Sequence, residues 1–251
     1  MNATVLDQPV PAVPSFFDHF PRVATQRQHA ILPRKIAFWS SLLAVPAAAG
    51  IAVGLASRRR GLVAGGVAAL ALGALRMQMA RWFTPEPAYQ VEGRVAGLEL
   101  RRYPPRVEAR AEIDALDLDD ALDRGFGLLA CYTYGGNAEH ERLAMTTPVV
   151  TTIRDGRYLT SFGMPPDRPI ISLPRPDDRR IELREVPDKR VAVLRFRGSF
   201  THERVEAHER VLLARLVDAG LSAKGSVALA CYDSPMTLPF LRRNELWIEI
   251  V

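Results

Sequence analysis

A chain of 251 residues has room for one full domain and an appendage. Its formal charge of +5 comes from 33 Lys and Arg against 28 Asp and Glu, and it is lopsided: nine basic and two acidic residues precede position 85, whereas 24 basic and 26 acidic residues follow it. A nucleic-acid binder carries its positive field on the folded domain, so no nucleic-acid partner is expected.

A tail, residues 1–35, leads into Ile36–Ala56, 21 residues without a charge, flanked by Arg34-Lys35 and Arg58-Arg59-Arg60. Roughly 20 apolar residues cross a bilayer core. A second run has 15 uncharged residues from Gly61 to Leu75. It reaches spanning length at Phe83 if Arg76 and Arg81 snorkel and Trp82 sits at the interface. Its Gly and Ala residues suit close packing of one membrane helix on another. The spacing therefore predicts a transmembrane helix or helical hairpin over 36–83 (36–56 and 61–83). The alternatives for 36–56 are a buried core helix or a signal peptide, but no small-x-small cleavage site follows it. The basic flanks favour a membrane-bound protein with its domain on the cytoplasmic face.

Residues 84–88, with Pro85 and Pro87, form a stiff linker. The domain, 89–251, then reads as two similar halves. LELRRYPPRVEARAEI (98–113) and IELREVPDKRVAVLRF (181–196) align without a gap, each as two strands joined at a proline turn. Val107, Ala109, Ala111 and Ile113 alternate with Arg106, Glu108, Arg110 and Glu112. A helix follows each pair. Asp117 is a predicted N-cap for the first, with Leu118, Leu122, Phe126 and Leu129 on one face. Thr201 starts the second, where Val205, His208, Leu212 and Leu216 share a face, and Gly220 ends it. Strands are predicted at 147–153 and 158–164 around Asp155-Gly156, at 227–232, and at 245–251. In the last, Leu246, Ile248 and Ile250 face inward and Glu245, Trp247 and Glu249 outward. The expected fold class is α+β: two β-β-helix-β-β repeats forming a curved sheet or open barrel with two helices. Cys131 and Cys231 are equally compatible with buried thiols and with a disulfide.

The segments RRYPPRVEARAEI, GFGLLACYTYGGN, LAMTTPVV, SFGMP, REVPDKRVAVLRFRGS and YDSPMTLPFLRRNELWIEI occur in the order and spacing of the SOUL haem-binding proteins, which this chain resembles from about residue 89 to its end. The resemblance implies a twisted sheet of two similar halves with two helices, and an apolar cleft for haem or another tetrapyrrole. It also locates that cleft at the first helix, the following loop and the loop before the last strand.

A porphyrin is an apolar plate with two propionates on one edge, so it requires apolar walls and a cationic rim. Leu122, Phe126 and Leu129, with Met145, could supply one wall. Met236, Leu238, Phe240 and Leu241 could supply another, and Met145, Tyr232 and Cys131 are weaker candidate iron ligands. Arg242 or Arg124 suits the propionates, whereas Arg243 is expected to pair with Glu245. The same Leu and Phe helix face could equally pack on its own sheet. His140 and His208 are the candidate iron ligands; the first also reads as an exposed loop residue and the second as a half-buried helix residue.

No serine lies in a G-x-S-x-G context, and no His/Cys/acid spacing matches a metal site. The expected function is thus a membrane-anchored, non-catalytic protein that binds haem or another tetrapyrrole reversibly for carriage, buffering or sensing. The rival readings are a generic effector-binding module coupled to a membrane partner and a small-molecule hydrolase using Glu108 or Glu249.

Overall fold

The computed structural model describes residues 84–154, 157–233 and 237–251, with three further positions, 67, 68 and 71, ahead of them. Otherwise the apolar runs of 36–83 lie outside the described residues, as do Asp155-Gly156 and Met236. Among the described residues no helix is long and apolar enough to cross a membrane.

The described residues form nine strands and two α-helices. In chain order these are β1 (Gln90–Val95), β2 (Leu98–Tyr103), β3 (Arg106–Ile113), α1 (Leu118–Thr133), β4 (Val149–Arg154), β5 (Arg157–Gly163), β6 (Ile181–Val186), β7 (Lys189–Arg197), α2 (His202–Asp218), β8 (Ala223–Cys231) and β9 (Arg243–Ile250). Asp117 caps α1, accepting from the Asp120 amide at 2.8 Å, and Asp119 and Asp120 occupy its positive first turn. Thr201 precedes α2 without a side-chain cap bond. At the other end of α2 the Gly220 and Leu221 amides bond back to the carbonyls of Val217 and Leu216.

All strands join one antiparallel sheet in the order β1-β2-β7-β9-β8-β4-β5-β3-β6. Leaving β1 aside and exchanging each strand with its counterpart in the other repeat (β2 with β6, β3 with β7, β4 with β8, β5 with β9) reverses this order. The repeat is therefore a pseudo-two-fold axis passing between β4 and β8. The proline turns are not hairpins. β2 pairs with β7 of the other half, and β3 pairs with β6.

That exchange bends the sheet. Six strand spacings separate β2 from β3 in the order, about 29 Å if flat, yet only Pro104-Pro105 connects them, a reach of about 11 Å. The sheet must curl until its flanks approach. A contact between the flanks agrees: the Arg106 guanidinium of β3 lies 5.3 Å from the Tyr103 ring centre of β2. The curl stops short of closure, leaving β1 and β6 as edges.

β1 is an addition to the expected elements. Val91, Gly93 and Val95 give a weak alternation that a bulge at Val91/Gly93 interrupts. Ala96 (φ 48°) and Gly97 (φ 74°) turn it into β2, with the backbone twist that suits a two-residue hairpin.

Both helices pack on one face of the sheet in a single apolar cluster that includes Ala109, Leu129, Phe162, Leu212 and Leu246. α1 lies over β3 and β5, and α2 over β7, β8 and β9. β4 therefore runs along the seam between them. Gly125 brings α1 close to β5, since a Cβ there would collide with the Thr160 side chain. The opposite face is covered too: Tyr103, Val191, Val193, Ala230, Tyr232 and Trp247 form a second buried cluster. This corrects the outward assignment of Glu245 and Trp247, which are 0% and 6% exposed.

Candidate functional site

Antiparallel pairing brings the two expected ligand loops to the same end of the sheet. Val149 at the start of β4 is the partner of Cys231 at the end of β8, and Cys231 is in turn the partner of Asn244 at the start of β9. The loop 134–148 and the loop 232–242 consequently converge there.

Asn137 organises the first loop. It is fully buried; its amide nitrogen donates to the carbonyls of Tyr132 (3.0 Å) and Glu141 (2.8 Å), and its oxygen accepts from the Glu141 amide (2.9 Å). The Ala138 amide reaches the Arg175 carbonyl, and Glu141 pairs with Arg168 at 2.7 Å, so segment 168–177 buttresses the loop. Asn137→Ala is expected to leave these buried backbone groups without partners, at a cost of about 1–3 kcal/mol. Faster hydrogen exchange at the Glu141 amide, with β7–β9 unchanged, is the outcome to measure.

The second loop closes through polar contacts. The Arg243 amide donates to the Asp233 carboxylate at 2.7 Å, and Arg242 Nε donates to the Thr237 carbonyl at 2.7 Å. Between them a 3-10 turn, Pro239–Leu241, holds out Leu238, Phe240 and Leu241 at 46%, 65% and 40% exposure. The Arg242 guanidinium lies 5.7 Å from the Phe200 ring centre. Burial pulls its pKa below the ordinary arginine value, and Asp233 opposes that shift without cancelling it.

A row of helix-side residues crosses the sheet at this level through successive pair partners: Phe162, Val149, Cys231, Asn244 and Phe196. At one end Phe126 of α1 meets Phe162, with ring centres 5.8 Å apart. At the other, His208 of α2 stacks on Phe196 at 4.2 Å. Phe126 and His208 thus flank the seam, with Val149 and Cys231 on its floor. His208 Nδ1 lies 2.7 Å from the Arg204 carbonyl. That oxygen can only accept, so the lone pair of this ring belongs to Nε2.

The other expected site residues divide clearly. Phe126 and Met145 are half-buried at the edge of the main cluster. Leu122 and Leu129 are buried in the core between α1 and the sheet. Arg124 is exposed near the start of α1, holding the Asp114 carbonyl and Asp120, away from the converging loops. Phe240 and Arg242 are at the converging end, and Met236 lies outside the described residues. Tyr232 is on the opposite face of the sheet. His140 is an exposed loop residue with φ 51° and Nδ1 3.4 Å from the Gly135 carbonyl. Both cysteines are free thiols; Cys131 is exposed, and burial pushes Cys231 up to about 12.

The opposite face holds a cluster not singled out from sequence. The Glu245 carboxylate accepts from Arg101 (2.7 and 3.1 Å), Arg243 Nε (3.0 Å), the Tyr232 hydroxyl (2.8 Å) and Trp247 Nε1 (2.8 Å). Burial alone would raise its pKa, but the hydrogen bonds and charge of Arg101, with the charge of Arg243, hold it below the ordinary value. Burial raises Tyr232 strongly and takes Tyr103 up to about 12. The signal was present as Trp247, an aromatic residue at a strand position assigned to solvent. The expected pairing of Arg243 with Glu245 is observed, and Arg243 also holds Glu86 of the linker at 3.0 Å.

Two surface depressions suit a tetrapyrrole less well. One, about 320 Å³ beside Leu128, Cys131 and Ile181, is rimmed by Asp177 and Asp178, the wrong sign for propionates. The other, about 390 Å³, is lined by Arg110, Glu182, Arg157 and Glu112, charges already matched in pairs. The seam end fits better. It combines apolar edges with Arg242, and Thr147 Oγ1 is buried there without a hydrogen-bond partner among the described residues. No group of three or more metal-ligating side chains occurs among the described residues.

Residues 84–249 match the family described as SOUL heme-binding protein. The chain is similar to heme-binding protein 2 of Homo sapiens, 26% identical over 175 residues that cover 66% of this chain and 83% of the relative. It is 25% identical to heme-binding protein 2 of Mus musculus over 185 residues, 68% and 85% of the two chains. Among solved structures it resembles the C-terminal domain of EcmrR (11% identity, TM-score 0.48, 65% of this chain and 98% of that one). It also resembles a hydrolase from Listeria innocua (14%, 0.43, 70% and 98%). At such scores those structures carry no argument about activity. The family match spans both halves of the sheet, and on it the chain belongs to the SOUL heme-binding protein family.

Proposed function

We propose that residues 89–251 bind haem or a related tetrapyrrole reversibly at the seam end of the sheet, and that residues 36–83 anchor the domain to a membrane, with the domain on the cytoplasmic face. The protein then carries, buffers or senses its ligand without transforming it. The observation that carries this reading is the placement, in a SOUL-family chain, of half-buried Phe126 and Met145 at the same end of the sheet as Phe240 and Arg242. A guanidinium partly deprived of water gains from an added anion such as a propionate. His208 is the better situated of the two histidines for iron, because its backbone bond leaves Nε2 as the acceptor. Bound haem would supply a coordinated iron and a large apolar face; the chain's own residues supply walls and charge.

A non-catalytic role is supported by the state of the acids. Glu108 pairs with Arg106 at 2.6 Å and Glu249 with Lys224 at 3.0 Å, both on the face away from the seam.

The test is a haemin titration of the full chain followed at the Soret band. A saturable shift is expected, weakened about tenfold by Arg242→Glu, the equivalent of about 1.4 kcal/mol. Phe126→Asp combined with Met236→Asp should abolish it. No spectral change with haemin or with iron-free porphyrin would sink the proposal.

A further inference from the structure

The linker is pinned at a fixed place on the domain. The Thr147 amide donates to the Pro85 carbonyl at 2.9 Å, and Glu86 holds Arg243 through both carboxylate oxygens at 3.0 and 3.1 Å. Thr147 and Arg243 both belong to the converging end of the sheet. Phe83, the last residue of the second apolar run, is two residues from Pro85 and therefore within about 7 Å of it.

The most exposed apolar feature of that same end is the turn carrying Leu238, Phe240 and Leu241, which ends two residues before Arg243. Its surroundings are cationic. Arg197 is the strand partner of Arg243, and Arg204 reaches the Arg197 carbonyl at 3.1 Å; both side chains are exposed. An apolar prominence rimmed by arginines is the composition of a membrane-interface element: the rings and aliphatic groups enter the acyl boundary and the guanidinium groups stay among the phosphates.

We propose that Leu238–Leu241, with Arg197 and Arg204, is a bilayer-contact surface, pressed onto phospholipid by the linker pinned beside it. This rests on the membrane anchoring proposed above. A contact too weak to hold a free domain suffices here, because the tether makes the second binding event intramolecular. The seam then opens at the membrane surface, where a sparingly water-soluble ligand partitions, and acquires it from lipid rather than from bulk water.

The test uses the full chain with Cys131→Ser, reconstituted in vesicles of phosphatidylcholine and phosphatidylserine, with a nitroxide at Phe240→Cys or at Leu116→Cys. Leu116 is 82% exposed and follows the end of β3, at the far end of the sheet. Relative to a water-soluble nickel chelate, collisions with oxygen should be several-fold more favoured at position 240 than at 116. Flotation with the vesicles but equal accessibility at the two positions overturns the contact surface and leaves the anchor standing. Failure to float overturns both.

Discussion

Replacing Glu245 with leucine is expected to lower the unfolding free energy of the domain by about 3–5 kcal/mol. It strips the buried Arg101 guanidinium of its bidentate partner, leaving Glu99 at 2.6 Å as its remaining carboxylate, and takes the acceptor from the Tyr232 hydroxyl and Trp247 Nε1. Arg101 is 3% exposed and has Glu245 as its bidentate partner. Arg101→Leu should cost less, because the Glu245 carboxylate keeps Arg243, the Tyr232 hydroxyl and Trp247 Nε1 as donors. The double replacement should cost far less than the sum of the two, since an apolar pair needs no mutual neutralisation. Urea unfolding of the four members of this cycle measures the coupling, and additivity would show that the pair is not the source of the loss. The pH dependence has a definite sign. The folded-state pKa of Glu245 is depressed below its ordinary value of 4.5. Its contribution is therefore complete above that value and disappears as pH falls through the lower, folded-state value. The wild-type chain should lose stability on acidification in that window, and the double leucine variant should lose less.

The second large effect is expected at Gly125. In an exposed helix, Gly→Ala gains about 1 kcal/mol of helix propensity. Here the new methyl group would meet the Thr160 Cβ at 2.7 Å and its Cγ2 at 3.0 Å. Thr160 is fully buried, β-branched and bonded through its hydroxyl to Thr151 at 3.1 Å, so it has little room to yield. Overlap then outweighs propensity: Gly125→Ala should be destabilising by about 1–3 kcal/mol and Gly125→Val by more. For a domain of this size that is a fall in melting temperature of about 2–4 °C per kcal/mol. Adding Thr160→Ala should restore part of the loss with Gly125→Ala. Full retention of the melting temperature by Gly125→Val would mean that α1 is not held as close to β5 as the fold requires.

Much of the fold could be read from the chain because the relevant signals are local. The alternation in β3, the Asp117 cap and the match of 98–113 with 181–196 each specify an element within a dozen residues. Partner choice is not local. Nothing in LELRRYPPRVEARAEI says that its two strands pair with the other half instead of with each other, although a Pro-Pro turn lacks the positive-φ residues a tight hairpin needs. The site was legible to the same extent. The two loops were placed by family resemblance, and the ladder brings them together. Which residues line the opening depends on one-residue parity and on depth. Cys231 faces the helices and its neighbour Tyr232 does not, while Leu122 and Leu129 sit on the α1 stripe that the sheet consumes.

Strand exchange between the halves bears on how the protein is made. When the first half leaves the ribosome, β2 has only β1 beside it and β3 only β5, because β7 and β6 are still unsynthesised, so each presents one open edge. Truncation in the connection between β5 and β6 should therefore leave β2, β3 and β4 each with an unpaired edge and destabilise what remains. Exchange of the missing half between two copies would give a swapped dimer with the same strand order.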